Sequence, residues 1–264
     1  MSTKIKLIIL SIAFVLCVTI GGTFAFSPSS TSSIKSMKIA NVSMRQLEYE
    51  RVRDEQGNLV SSNLKDEYGN VPDKLQKVTQ EKEIIPAHYK EGIIKMDDRN
   101  GKDEYRQSWK EINAPGANQL YDDSIKNIID KFIFVENTGT TNIYYRTIIA
   151  IECPFGVAES IIHVNLNLDE SIYWQRLGYA NIRESRFVVL VATYKTALMP
   201  GKISKPSLLQ VFLDPSTSSK DMEAYNNTFE ILVETQSVEA ISNIESSKAL
   251  DEQYGKVIEN LPWK

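Results

Sequence analysis

The stretch IIDKFIFVENTGTTNIYYRTIIAIEC, running from Ile128 to Cys153, decides the fold class. Two runs rich in β-branched and aromatic residues, 131–135 and 143–151, flank a polar turn, Asn137-Thr-Gly-Thr-Thr-Asn142. Asn and Gly tolerate positive φ, and Thr hydroxyls bond to nearby backbone, so the chain reverses here at low cost. Apolar runs of this length bounded by turn residues read as buried strands. The stretch predicts the centre of an all-β domain, and it carries no catalytic group.

Toward the C-terminus, Pro154-Phe155-Gly156 breaks the strand, and residues 157–164 fit either a short helix or a strand. Tyr173 and Trp174 form an aromatic pair expected in the core. RFVVLVATY, 186–194, and LLQVFL, 208–213, read as further buried strands, with a turn at Met199-Pro200-Gly201 between them. Ser219 is expected to cap a short helix over 220–225, whose Asp221 and Glu223 suit a helix N-terminus. Residues 228–238 alternate, with Phe229, Ile231 and Val233 on one face and Glu230 and Glu234 on the other, the pattern of a half-buried antiparallel strand. A final helix is expected over 249–257.

Toward the N-terminus, residues 37–51 fit a strand interrupted by bulges. Turn signals follow at 54–58 and 67–70, with a return strand starting at Leu59. The segment 73–82 is polar and predicts a short helix, and 97–106 a charged loop. Parallel βαβ spacing is absent. The prediction is a jelly-roll or Greek-key β-sandwich with a few short helices, preceded by an N-terminal signal helix.

That N-terminal segment begins with Lys4 and Lys6, continues as an apolar run from Leu7 to Ile20, and ends in small residues before Ala25. Charged, apolar and small-residue regions in this order describe a secretory signal peptide. The apolar run falls short of the roughly 20 residues that span a bilayer. Cleavage is expected between Ala25 and Phe26. The chain then divides into a signal peptide (1–25), a Ser/Thr-rich mobile arm (26–36) and a single β-sandwich domain (37–264). An uncleaved membrane anchor is the alternative.

The full chain carries 30 basic and 34 acidic residues. Removing the leader takes Lys4 and Lys6 with it, so the net charge falls from −4 to −6. A mildly acidic chain without a basic cluster is a poor nucleic-acid binder, so no nucleic-acid partner is expected. Cys17 lies in the leader, which leaves Cys153 alone in the mature chain and rules out an intramolecular disulfide there. Cys153 reads as a small buried apolar residue at a strand end.

Chemical motifs are sparse. His88 and His163 are far apart and belong to no H-x-x-x-H pair, so the helical zinc-protease spacing is missing. A single mature Cys does not supply the Cys/His structural zinc patterns. There is no G-x-S-x-G elbow, phosphate loop or GxGxxG. The acidic segment from Asp97 to Glu104 lacks a carboxylate at the twelfth position, where Ser108 stands, so it reads as a solvated loop. No catalytic residue, metal or cofactor is assigned. Tyr144, Tyr145 and Trp174 fit a sugar-binding face, although aromatic residues in strands are more often packing.

Four segments carry a resemblance: the leader end GGTFAF, the hairpin NIIDKFIFVENTGTTNIYYRTIIAIE, the run VATYKTALMPGKISKPSLLQVFLD, and the tail SSKALDEQYGKV. Together they resemble the TasA/camelysin-like family of secreted bacterial proteins, over most of the chain after Ile125. The resemblance implies a leader cut by a SipW-type signal peptidase and a jelly-roll subunit at the cell surface or in the extracellular matrix. It implies a biofilm-matrix fibre subunit whose partners are further copies of itself, and other matrix proteins, joined by β-strand addition. Residues 26–49 are the expected donor strand; pairing of 37–49 within its own subunit is the competing expectation. Camelysin is described as a metalloprotease, an activity without supporting metal-ligand spacing here. The expectation is a structural protein and not an enzyme. An extracellular binding module for glycan or protein is the first alternative, a secreted metalloprotease the second.

Overall fold

Among the described residues, antiparallel strands account for most of the elements. The structure, a computed structural model, describes residues 41–55, 75–78, 85–89, 120–121, 125–225 and 229–263. These belong to one compact unit, Ala40–Lys264. The leader, the cleavage site at Ala25 and Phe26, the arm 26–36, the expected turn at 67–70 and the loop 97–106 lie outside the described residues.

The hairpin read from sequence is present as β6 (Phe132–Asn137) and β7 (Ile143–Glu152). Its two strands do not pair with each other. Each goes to a different sheet, so the turn at 138–142 crosses between layers. β7 lies in a four-stranded sheet ordered β12 (Ile231–Glu239), β7, β10 (Ser185–Tyr194), β9 (Ile172–Ile182). β6 pairs with β1 (Met44–Arg51), which also takes three residues of β2 (Leu75–Lys77). A second three-stranded sheet runs β5 (Ile129–Asp130), β11 (Leu208–Leu213), β8 (Ile162–Leu166). β5 and β6 are one run interrupted at Lys131, whose N–H donates to the Leu209 carbonyl at 2.9 Å. The two three-stranded sheets therefore meet along that run. A two-stranded piece joins β3 (His88–Tyr89) and β4 (Ile125–Lys126).

The layers face each other across one apolar cluster. Ile133 of β6 and Leu208 and Val211 of β11 meet Ile149 and Ile151 of β7 there. All five are nearly or fully excluded from solvent. Complete burial of a side chain of this size contributes roughly 1.5–3 kcal/mol. The continuous apolar runs now have a reason: β7 is covered on its second face too, where Ile148 and Ala150 pack with Val257 and Leu261 of the C-terminal segment.

Several expectations need correction. The segment 73–82 is not a helix where it is described; Leu75–Lys77 is a strand, because Leu75 has an apolar slot beside Leu47 and Phe132. The short helix α1 (Ser219–Ala224) is capped by Ser218, not Ser219. The Ser218 hydroxyl accepts from the Asp221 N–H and the Asp221 carboxylate accepts from the Ser218 N–H, a capping box one residue earlier than read. The final helix α2 spans Ser246–Tyr254 rather than 249–257, ending at Gly255 with φ +73°. Residues 162–166 are strand, preceded by a single 3₁₀ turn at Glu159–Ile161. Of the expected donor 26–49, residues 44–49 pair in unbroken register with β6 of the same chain.

Candidate interaction surfaces

Each residue singled out in the sequence has a definite place. Cys153 is 0% exposed, and burial pushes its thiol up, against the pull of Arg186. It stays a protonated thiol at neutral pH, a poor nucleophile. His163 stacks on Phe212 and bonds through Nε2 to Asp214 Oδ2 at 2.9 Å. The Ser216 hydroxyl also binds Asp214, on its other oxygen, so serine and histidine both face the carboxylate and not each other. That order does not activate the serine. His88 is on β3, and the chain brings it opposite Lys126. Among the described residues, no three His, Cys, Asp or Glu side chains converge as a metal site.

The aromatic trio does not form one surface. Tyr144 and Tyr145 alternate to opposite faces of β7. Tyr145 is buried, stacked on Tyr194 with ring centroids 4.2 Å apart, and burial raises its phenol well above the ordinary value. Trp174 is half-buried and donates its indole N–H to the Asn167 carbonyl at 2.8 Å. Tyr173, expected in the core, is half exposed.

A cluster the sequence reading missed lies where β7 ends. The Arg186 guanidinium sits 4.5 Å from the Tyr179 ring centroid and 5.6 Å from that of Phe155. It also donates to the carbonyls of Cys153, Pro154 and Val157, which locks the break after β7. Glu159 accepts from Arg176 and from the Tyr179 hydroxyl, and the Arg176 hydrogen bond holds its carboxyl below the usual range. Phe155 projects from this stack 64% exposed. The signal for it was present: an apolar residue between Pro154 and Gly156, in a turn where polar residues are the rule.

Sheet edges are the other feature with binding potential. β9 is an edge of the four-stranded sheet, but its register with β10 slips between Val189 and Leu190. Gly178 has φ +99° at that point, so the strand is bulged. A bulge and the charges of Arg176 and Glu159 blunt an edge against pairing. β12 is the opposite edge, and its nine residues pair with β7 without a slip. The Glu152 N–H donates to the Glu230 carbonyl, and the Ala240 N–H to the Asn142 carbonyl. Even-numbered residues therefore turn their backbone groups toward β7. Ile231, Val233, Thr235, Ser237 and Glu239 turn theirs outward. The Ser237 carbonyl accepts the Tyr254 hydroxyl at 2.9 Å, and no strand pairs with this outer edge among the described residues.

No family model matches the chain, and no curated protein or solved structure gives a match.

Proposed function

We propose that this chain is a secreted cell-surface or biofilm-matrix structural protein of the TasA/camelysin-like kind, a non-enzymatic fibre subunit that assembles by β-strand addition. Its layers form a sandwich of Greek-key or jelly-roll type. A SipW-type signal peptidase cuts between Ala25 and Phe26 and releases the arm that follows. Residues 44–49 are engaged with β6 of their own subunit, so the donor is residues 26–39, which carry Ile34, Met37 and Ile39.

The observation that supports this reading best is the outer edge of β12: nine residues in unbroken register whose odd-numbered backbone groups point away from the sheet. Apart from Ser237, whose carbonyl the Tyr254 hydroxyl already takes, this unbulged edge is a template for a strand from another chain. The test compares residues 26–264 with residues 37–264 by electron microscopy and light scattering. Filaments are expected from the first and monomers from the second. Val233→Pro removes one outward N–H and leaves the ladder to β7 in place. It is expected to abolish filaments while thermal unfolding stays cooperative. Filaments that persist in Val233→Pro assign assembly to another edge, and monomers from all three proteins remove the reading.

A second reading, an extracellular binding module, is favoured by the exposed Phe155 and Tyr179 on either side of Arg186. It predicts saturable binding of cell-wall polysaccharide that weakens at least tenfold in Phe155→Ala. Unchanged binding in that variant dismisses this surface.

A further inference from the structure

The outer edge of β12 is not equally open along its length. Five residues turn their backbone groups away from β7: Ile231, Val233, Thr235, Ser237 and Glu239. Ile231 and Val233 are half-buried and Glu239 is exposed. Thr235 is 3% exposed and Ser237 7%. The middle of the edge is therefore shielded from solvent, while its two ends are not.

Side chains from two other elements hold that middle. The Thr235 hydroxyl donates to Gln46 Oε1 of β1 at 3.0 Å, which ties it to the facing layer. The Tyr254 hydroxyl donates to the Ser237 carbonyl at 2.9 Å. That carbonyl is one of the outward groups, so the Tyr254 hydroxyl stands where an N–H of an added strand would donate. Tyr254 is the last residue of α2, and the backbone on both sides of it is anchored. Arg146 of β7 donates to the Asp251 carboxylate and to the Gly255 carbonyl. The side chain is less constrained, since Tyr254 is 37% exposed. Rotation to another staggered conformer takes the hydroxyl off Ser237 without unfolding α2.

With Tyr254 in place, the edge is open at Ile231 and Val233 and interrupted beyond them. Two outward residues offer two N–H and two carbonyl groups. The net gain from so few backbone bonds is small. It does not offset the freedom that an arm and a subunit lose on joining. With Tyr254 turned away, the Ser237 carbonyl becomes available and the edge extends toward Glu239.

We propose that Tyr254 is a latch on the β12 edge. It keeps the isolated subunit closed to strand addition, and an incoming strand displaces its hydroxyl from the Ser237 carbonyl in order to pair along the full edge. The inference rests on the strand-addition reading above and adds the regulation of that edge. A long unguarded edge pairs with whatever strand it meets. An edge held by one side chain on an anchored helix end resists chance pairing and still opens without unfolding the subunit.

The test follows filament growth of residues 26–264 by light scattering, for the native sequence and for Tyr254→Phe, which keeps the ring and loses the hydroxyl. The lag before growth is expected to shorten at least threefold in Tyr254→Phe. Two further proteins separate a released latch from a loosened fold. Residues 37–264 carrying Tyr254→Phe are expected to stay monomeric. Residues 26–264 carrying both Tyr254→Phe and Val233→Pro are expected to form no filaments. Filaments from either of these overturn the latch, because growth then bypasses the arm or the β12 edge. Equal lags for the native sequence and Tyr254→Phe overturn the latch and leave strand addition standing. No filaments from either of those two proteins remove strand addition and the latch together.

Discussion

At the scale of single residues, the strongest constraint is a buried charge pair that no sequence pattern announces. Arg51 and Asp130 are 79 positions apart, and their side chains are 2% and 4% exposed. Two parallel bonds of 2.7 Å join them, from Nε to Oδ2 and from Nη2 to Oδ1. Gln210 Nε2 donates to the same Asp130 oxygen, and the Arg51 guanidinium also reaches the Tyr121 carbonyl. The pair therefore pins β1 to β5 and β11. A buried pair of this kind contributes little relative to apolar replacements, but losing one partner strands the other charge. Asp130→Asn is expected to lower unfolding free energy by about 3–5 kcal/mol, measured by urea denaturation. The double replacement Arg51→Met, Asp130→Leu is expected to cost less than Asp130→Asn alone. A loss under about 1 kcal/mol in Asp130→Asn contradicts the account, because it means water reaches the guanidinium.

At the scale of elements, the turn between β6 and β7 fixes how the first strand docks. Gly139 lies so close to the incoming chain that an added Cβ would stand 2.1 Å from the Asn41 carbonyl oxygen and 2.8 Å from the Ser43 nitrogen. Both neighbours are backbone, which cannot swing aside. Gly139→Ala is expected to push residues 41–43 away, break the bonds from Thr138 and Gly139 to the Ser43 carbonyl, and cost about 1–3 kcal/mol. Limited proteolysis should then cut ahead of β1 at least several times faster; an unchanged cleavage rate would show that the turn does not hold the strand. The same element shows what sequence could reveal. β6, β7, β10 and β11 were legible because strands covered on both faces are nearly continuous runs of Ile, Val and Phe. β9 was not. Its buried positions Ile172, Ala180 and Ile182 are separated by Gln175, Arg176 and a bulge at Gly178, which shifts the alternation mid-strand. The pairing of β6 and β7 with different sheets was equally hidden, since a turn that crosses between layers has the same residues as one that closes a hairpin. The Arg186 stack escaped for a related reason: Phe155, Tyr179 and Arg186 come from three separate segments.

At the scale of the whole molecule, stability has a definite dependence on acid. Among the described residues, four carboxylates are held below their ordinary range by their partners. For Asp169, burial alone would raise the carboxyl, but hydrogen bonds from Lys205 and Ser171 outweigh it and bring the value down to about 2. For Asp214, burial likewise opposes the bonds from Ser216 and His163, which prevail. Glu159 is lowered first by Arg176, and Asp221 by the Ser218 hydroxyl. A carboxyl depressed in the folded state binds its proton more readily in the unfolded chain. Its contribution is therefore complete above the unfolded value of about 4 and is lost as pH falls from there toward about 2. These four sites are spread over the β8–β9 loop, the end of β11, the 3₁₀ turn and α1, so the loss is shared across the fold instead of opening one element. Unfolding free energy is expected to be flat from pH 7 to about 5 as far as these groups are concerned, and to fall steeply between about 4 and 2. Asp169→Asn should remove roughly 1 kcal/mol of that fall, a figure reduced for the partial exposure of the Lys205 pair. The measurement is urea denaturation at pH 7, 4 and 2 for the native sequence and the variant. Parallel curves for the two proteins, or stability that rises below pH 4, would mean that Lys205 and Ser171 do not hold Asp169 in solution.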